Sequence, residues 1–177
     1  AKLGEKELAS LRLDEMGFIF QQMYMLKNLT VLDNIILPAC QSKKNTETRK
    51  ETVQHGQDLM RKLGIIDIAD NDINEVSGGQ LQRACICRSM INRPKMIFAD
   101  EPTGALDSRS ASMLLESFAL VNRTMKTTIL MVTHDIFSAS YCSRILFLRD
   151  GKLFNELYKG ERTRKEFFHE IMDVMTF

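Results

Sequence analysis

No stretch of this 177-residue sequence is apolar for long enough to span a membrane, and none reads as a secretory leader. Any membrane association is therefore expected to run through a partner. Charge of either sign is not in excess. Lysine and arginine number 24 against 23 acids, a net charge of +1. A broad polyanion-binding face is excluded, and no nucleic-acid partner is expected. Cysteine is sparse and scattered, at Cys40, Cys85, Cys87 and Cys142. Cys85 and Cys87 fall in a predicted helix, where residues two apart point in different directions. That argues against zinc or disulfides and for small buried hydrophobes in a reducing compartment. There is no internal repeat and no low-complexity segment. Also missing is a phosphate cradle of the form G-x-x-x-x-G-K-[ST]. The only Gly-Lys pair, Gly151-Lys152, is followed by Leu153 and lacks the earlier glycine.

What is present suffices for one domain with a core: 44% of residues are hydrophobic and 27% charged. The chain opens almost at once on a charged helical pattern, Glu5 to Leu13, and an apolar strand, Met16 to Phe20. That is expected of a chain that begins inside a domain. Leu29 to Ala39 has helical periodicity, with Thr30 as N-cap and Pro38 as its stop. Thr46 to Leu63 reads as a surface helix closed by Gly64. A helix from Ser77 to Asn92 precedes a short buried strand, Lys95 to Ala99. Ser108 to Thr124 is predicted helical, Thr127 to Thr133 a strand, and Ile136 to Cys142 a short helix. Arg144 to Arg149 and Lys152 to Leu157 form a hairpin about Asp150-Gly151. Arg162 to Met175 is an amphipathic helix, with Phe167, Phe168, Ile171, Val174 and Met175 on one side. Strands alternating with helices predict an α/β fold with a parallel sheet. Residues from about 22 to 88 lack strand patterns and are expected to form a helical insertion. Its first part, from Gln22 to Ala39, is more apolar than a free surface needs, which fits either a partner's groove or core packing.

The chemistry concentrates between Asn74 and Ser110. Ser77 with Gln80 makes a capping box, which alone gives both residues a structural purpose. Gly78 and Gly79 are harder to explain, since each costs roughly 1 kcal/mol against alanine in a helix. Bare backbone at a positive helix end suits an anion, most naturally a phosphate. Met96 to Ala99 delivers Asp100 and Glu101 to a strand's carboxyl end, where open α/β sheets place ligands. One acid there can hold Mg²⁺ through water and the other can polarise an attacking water. Asp107 reads either as a functional acid or as the N-cap of the next helix. His134 follows the strand ending at Thr133, and Gln21 follows the strand ending at Phe20. Each fits a metal, water or phosphate contact as well as a plain structural role.

Taken in order, "GFIFQ", "VSGGQLQR", "MIFADE", "GALD" and "MVTHD" resemble the Q-loop, signature, Walker B, D-loop and H-loop of ATP-binding cassette transporter ATPases. The resemblance runs over essentially all 177 residues. It implies a P-loop NTPase-like parallel sheet flanked by helices, with its N-terminal strands missing. Residues 1–21 and 89–177 would form the RecA-like core, and about 22–88 the helical subdomain. It also implies ATP and Mg²⁺ as cofactors. Gln21 would sense the metal and couple to a transmembrane subunit. Ser77, Gly78 and Gly79, with Gln80 in the same motif, would bind the γ-phosphate of ATP held by the other subunit of a head-to-tail homodimer. Asp100 would hold Mg²⁺ through water, Glu101 would be the general base, His134 would contact the γ-phosphate and Asp107 would bridge subunits. Val76 departs from the usual leucine. The chain would sit at the cytoplasmic face of the membrane, bound to a permease.

"ADEPTGALDS" is similar to the subgroup serving lipoprotein release, macrolide export and peptide-antibiotic resistance. The tail from Arg144 to Met175 resembles bacitracin-type antimicrobial-peptide transporters. Without the cradle, the expectation is a fragment of such an ATPase, inactive alone, or a non-enzymatic partner of an intact one. Chromosome-maintenance ATPases share the signature and Walker B but need heptad-bearing arms, and none is present.

Overall fold

The computed structural model describes residues 3–176. The chain divides into two compact units, residues 1–132 and 133–177. In the first, α1 (Glu5–Glu15) runs directly into β1 (Met16–Phe20). Then follow α2 (Val31–Gln41), α3 (Arg49–Lys62), α4 (Gly78–Met90), β2 (Met96–Asp100), α5 (Ser108–Met125) and β3 (Thr128–Val132). The strands form one parallel sheet in the order β1-β2-β3, with Phe20, Asp100 and Val132 in one row at the carboxyl ends. Ile19, Ile97 and Ala99 bury one face of the sheet, where α4 packs on β1. Met96 and Phe98 of β2 are half-buried and Asp100 exposed, so β2 alternates rather than being buried throughout. β3 pairs only with β2 among the described residues, and its Leu130 and Val132 are exposed.

Between β1 and α4 there is no strand, only an isolated bridge between Thr30 and Asp72. Val31, Ile35 and Ile36 of α2 pack with Leu59 and Met60 of α3 and with α4 to form a core of their own. Thr30 caps α2 as expected, accepting from the Asp33 N–H. Pro38 does not stop this helix, which continues to Gln41. A proline inside a helix costs on the order of 3 kcal/mol. Here the buried stripe extends to Ala39, one residue beyond Pro38, and favours the further turn. α3 begins at Arg49 rather than Thr46, because Thr48 and Glu51 close a capping box there. Gly64 ends it with φ +64°, as expected. Two 3-10 turns, Ile66–Ile68 and Ile73–Glu75, had no signal in the pattern.

In the second unit α6 (Ile136–Ala139) packs with α7 (Arg164–Met175), and β4 (Arg144–Arg149) pairs antiparallel with β5 (Lys152–Tyr158). Phe167 and Ile171 of α7 are buried, whereas Met175 is exposed rather than part of that stripe. Cys85 and Cys87 are buried, and burial raises both thiols, Cys85 to about 11. Cys40 is exposed and Cys142 half-buried, so only the first pair are core hydrophobes. No helix among the described residues is long and apolar enough to cross a membrane.

Candidate nucleotide site

Two groups of the expected residues come together in the first unit. The first lies at the carboxyl ends of β1 and β2. Asp100 is the last residue of β2 and is exposed. Glu101 follows in a left-handed conformation, φ 43°, which few residues other than glycine adopt. Its N–H donates to the Val132 carbonyl at 2.9 Å, and its carbonyl accepts from Gly104 at 3.1 Å. The turn after β2 is thus tied to the end of β3 and closed on itself. Gln21 leaves β1 one strand away. A Cβ on Gly104 would lie 2.9 Å from the Gln21 side-chain nitrogen, so glycine lets that amide sit against the turn. Sequence spacing of 79 residues between Gln21 and Asp100 is closed by parallel pairing of β1 and β2.

The second group gathers at two helix N-termini. Ser77 caps α4: its hydroxyl accepts from the Gln80 N–H at 3.3 Å, and Gln80 accepts from the Ser77 N–H at 2.9 Å. The capping role foreseen for both is present. A Cβ on Gly79 would meet Ser110 Oγ at 3.4 Å, so α4 starts beside the start of α5. A Cβ on Gly78 would find only Leu106, at 4.0 Å. Nothing within the described chain therefore requires glycine at 78. Asp107 caps α5, accepting from the N–H groups of Arg109 and Ser110 at 3.0 Å each and from the Ser110 hydroxyl at 2.7 Å. The Ser110 hydrogen bonds hold its carboxyl below the usual range. Of the two readings of Asp107, the cap is the one seen. Two adjacent helix N-termini make this corner electropositive, with Asp107 offsetting part of it.

His134 belongs to the second unit, where it is exposed. Beside it Asp135 caps α6, accepting from the Phe137 and Ser138 N–H groups and the Ser138 hydroxyl. Burial would raise the Asp135 carboxyl, but these hydrogen bonds and His134 bring it below its ordinary value.

Sequence reasoning missed the residues that hold the segment after β1. Arg88 of α4 donates to the carbonyls of Met23 at 2.6 Å and Tyr24 at 2.8 Å. An arginine in an otherwise buried helical stretch was the available signal. As to metal, no group of three or more His, Cys, Asp or Glu could hold an ion among the described residues. One exposed carboxylate, Asp100, with a neighbouring amide fits Mg²⁺, which keeps several waters and takes its other ligands from phosphate.

A parallel sheet with acids at its carboxyl edge and a separate glycine-bearing helix N-terminus are features of α/β proteins that bind phosphates. The ABC transporter family profile matches residues 2–104, and the chain belongs to that family. It is 48% identical, over 97% of its length, to a bacitracin export ATP-binding protein of Halalkalibacterium halodurans. It is 44% identical, over 99%, to the ABC transporter ATP-binding protein YxdL of Bacillus subtilis. The chain spans 66% of the length of each. A solved ATP-binding cassette, dimeric and bound to ADP and Pi in a post-hydrolysis state, superposes with a TM-score of 0.76 at 33% identity, over 89% of this chain and 68% of that one. The resemblance to the ABC ATPases, and within them to the bacitracin type, is thus borne out, as is the α/β fold.

Proposed function

We propose that this chain supplies the signature and hydrolytic parts of an ATPase that drives export of antimicrobial peptides or similar lipophilic substrates. Residues 22–88 serve as its helical subdomain, and 1–21 with 89–177 as parts of its core. The observation that carries the reading is Gly78, a glycine at an exposed, positive helix end that internal packing does not need. Ser77, Gly78, Gly79 and Gln80 there receive the γ-phosphate of ATP bound by another subunit, in a head-to-tail dimer. Similarity to a dimeric cassette holding ADP and Pi supports this.

In the opposite site of such a dimer, where the partner supplies the signature, Glu101 would accept a proton from the attacking water. Asp100 would hold Mg²⁺ through water and Gln21 would sense it; the ion, when bound, would supply positive charge against the phosphates. His134 contacts the γ-phosphate, and Asp107 lies at the subunit boundary. The permease contact falls to exposed Tyr24 and Leu26, whereas the α2 isoleucines of the same apolar stretch are core. The chain then sits on the cytoplasmic face of the membrane through that permease. Similarity to a bacitracin export protein supports the substrate class.

The test is titration of this chain into the complete Halalkalibacterium relative, with ATPase activity as readout. The chain offers a signature end but no cradle, so each mixed dimer holds one complete site at most. Activity is expected to fall with added chain and to be unaffected by a Ser77→Arg chain, whose side chain fills the phosphate position. Equal inhibition by both, or by neither, contradicts the proposal.

A further inference from the structure

Arg164 is the first residue of α7, and by local rules it is misplaced. A helix N-terminus is electropositive and favours acids, so a cation there needs a partner outside the helix. The backbone at that point is fixed from both sides. Thr163 and Glu166 close a capping box around it, with the Thr163 N–H donating to Glu166 at 2.8 Å. Arg162 donates to the carbonyls of Tyr158 and Lys159 at 2.9 and 3.1 Å, which ties the start of α7 to the end of β5.

What receives the Arg164 guanidinium is the turn that begins with α6. It lies over the ring of Tyr141 at 4.6 Å and over that of Phe137 at 5.4 Å, and it donates to the Tyr141 hydroxyl. The two rings meet edge to face, with 5.5 Å between centroids. One guanidinium thus engages both aromatics of the turn at once. α6 itself has only four residues. A single helical turn is not stable alone, so packing decides where it lies. Its packing is against α7.

The same turn carries His134 with little slack. The Asp135 N–H donates to Thr133 Oγ1 at 3.1 Å, which joins the backbone on the two sides of His134. The Asp135 carboxylate accepts from the Phe137 and Ser138 N–H groups at 3.1 and 2.9 Å, and from the buried Ser138 hydroxyl at 2.6 Å. All of these bonds are local. They lock the His134 backbone to α6 but do not locate the two together.

We propose that Arg164 is a positioning residue for His134. It clamps Phe137 and Tyr141, which sets the α6 turn and with it the histidine that leads into the turn. The C-terminal helix thereby acts on a residue of the nucleotide site. The consequence for turnover rests on the reading of His134 as a phosphate contact. The placement itself does not, and it is tested without nucleotide.

The test uses the chain labelled with ¹³Cε1-histidine. Its three histidines are His55, His134 and His169, and His134→Asn and His169→Asn assign the signals. Arg164→Met keeps the stem of the side chain without its guanidinium. It is expected to displace the His134 signal while His55 and His169 stay in place. Arg164→Lys retains a cation over the rings and is expected to bring the His134 signal back toward its parental position. Tyr141→Phe loses only the hydroxyl and is expected to displace His134 in the same direction, by less. His169 lies on α7 next to the Phe168 ring and reports whether that helix is still docked. An unmoved His134 signal in Arg164→Met overturns the proposal. So does joint movement of His134 and His169, which means that the arginine merely holds α7 in place. Failure of Arg164→Lys to restore the signal overturns it as well. Should Arg164→Met not fold, Tyr141→Phe decides: displacement of His134 in that variant supports the proposal, and its absence overturns it.

Discussion

Glu101 combines two properties seldom found together: a carboxylate at a strand's end and a left-handed backbone. The strain is held by the Val132 and Gly104 hydrogen bonds on either side of the peptide. Joining this chain to the part of the Halalkalibacterium relative that it does not span gives a protein for testing Glu101. There Glu101→Gln should retain ATP binding and lower turnover by about 10²–10⁴-fold, the usual effect of losing a general base. Turnover near that of the parent would remove Glu101 from that role. His55 gives a different prediction, about stability. It is half-buried on α3, and its Nε2 has no partner among the described residues. Burial, then the Arg93 charge, lowers its pKa below 6.5. The unfolded chain therefore takes up the proton more readily. Stability from this group is complete above the unfolded value and is lost as pH falls from there through the folded one. Urea midpoints should drop between about pH 7.5 and about pH 5.5, and drop less in His55→Gln. Parallel pH profiles for the two proteins would contradict this. At this scale the acids, Gln21 and the signature glycines were legible because type and position after a strand or cap were enough. Arg88 was not, because its meaning depends on what a segment some 60 residues earlier does.

Helices α2 and α3 pack through a contact that only the folded structure reveals. A Cβ on Gly56 would lie 2.8 Å from the Ile36 Cγ2 methyl and 3.1 Å from Leu32 Cδ1. The sequence shows a glycine in a helix, which by propensity alone is a weakness. In place it lets two helices approach, and it sets the core beneath the segment that leads to Ser77. Gly56→Val should therefore lower stability by about 1–3 kcal/mol through overpacking, with each kcal/mol worth roughly 2–4 °C in Tm. An unchanged or raised Tm would show that the contact has slack. Pro38 and the Thr48–Glu51 box illustrate the limits of local reading. A proline rule placed the end of α2 too early because it ignored what Ala39 buries. The start of α3 was set by two polar residues whose reciprocal bonds form only when the helix does.

Across the whole molecule, a parallel sheet followed by a hairpin was legible in the alternation of strands and helices, whereas the order β1-β2-β3 was not. The pattern was silent on how the chain divides after Val132. The edge of β3, unpaired among the described residues and with Leu130 and Val132 exposed, is where further pairing or self-association is favoured. The central claim concerns the other end of the molecule's chemistry, the start of α4. It is tested most directly by watching the Gly78 and Gly79 amides. The chain, labelled with ¹⁵N-glycine, carries nine glycines and so gives a simple spectrum. Unlabelled Halalkalibacterium relative is then added with ATP or with ADP. The account predicts that the Gly78 and Gly79 signals shift with ATP and return with ADP, while Gly151 and Gly160 stay in place. Shifts that ignore the nucleotide, or none at Gly78 and Gly79, would contradict it.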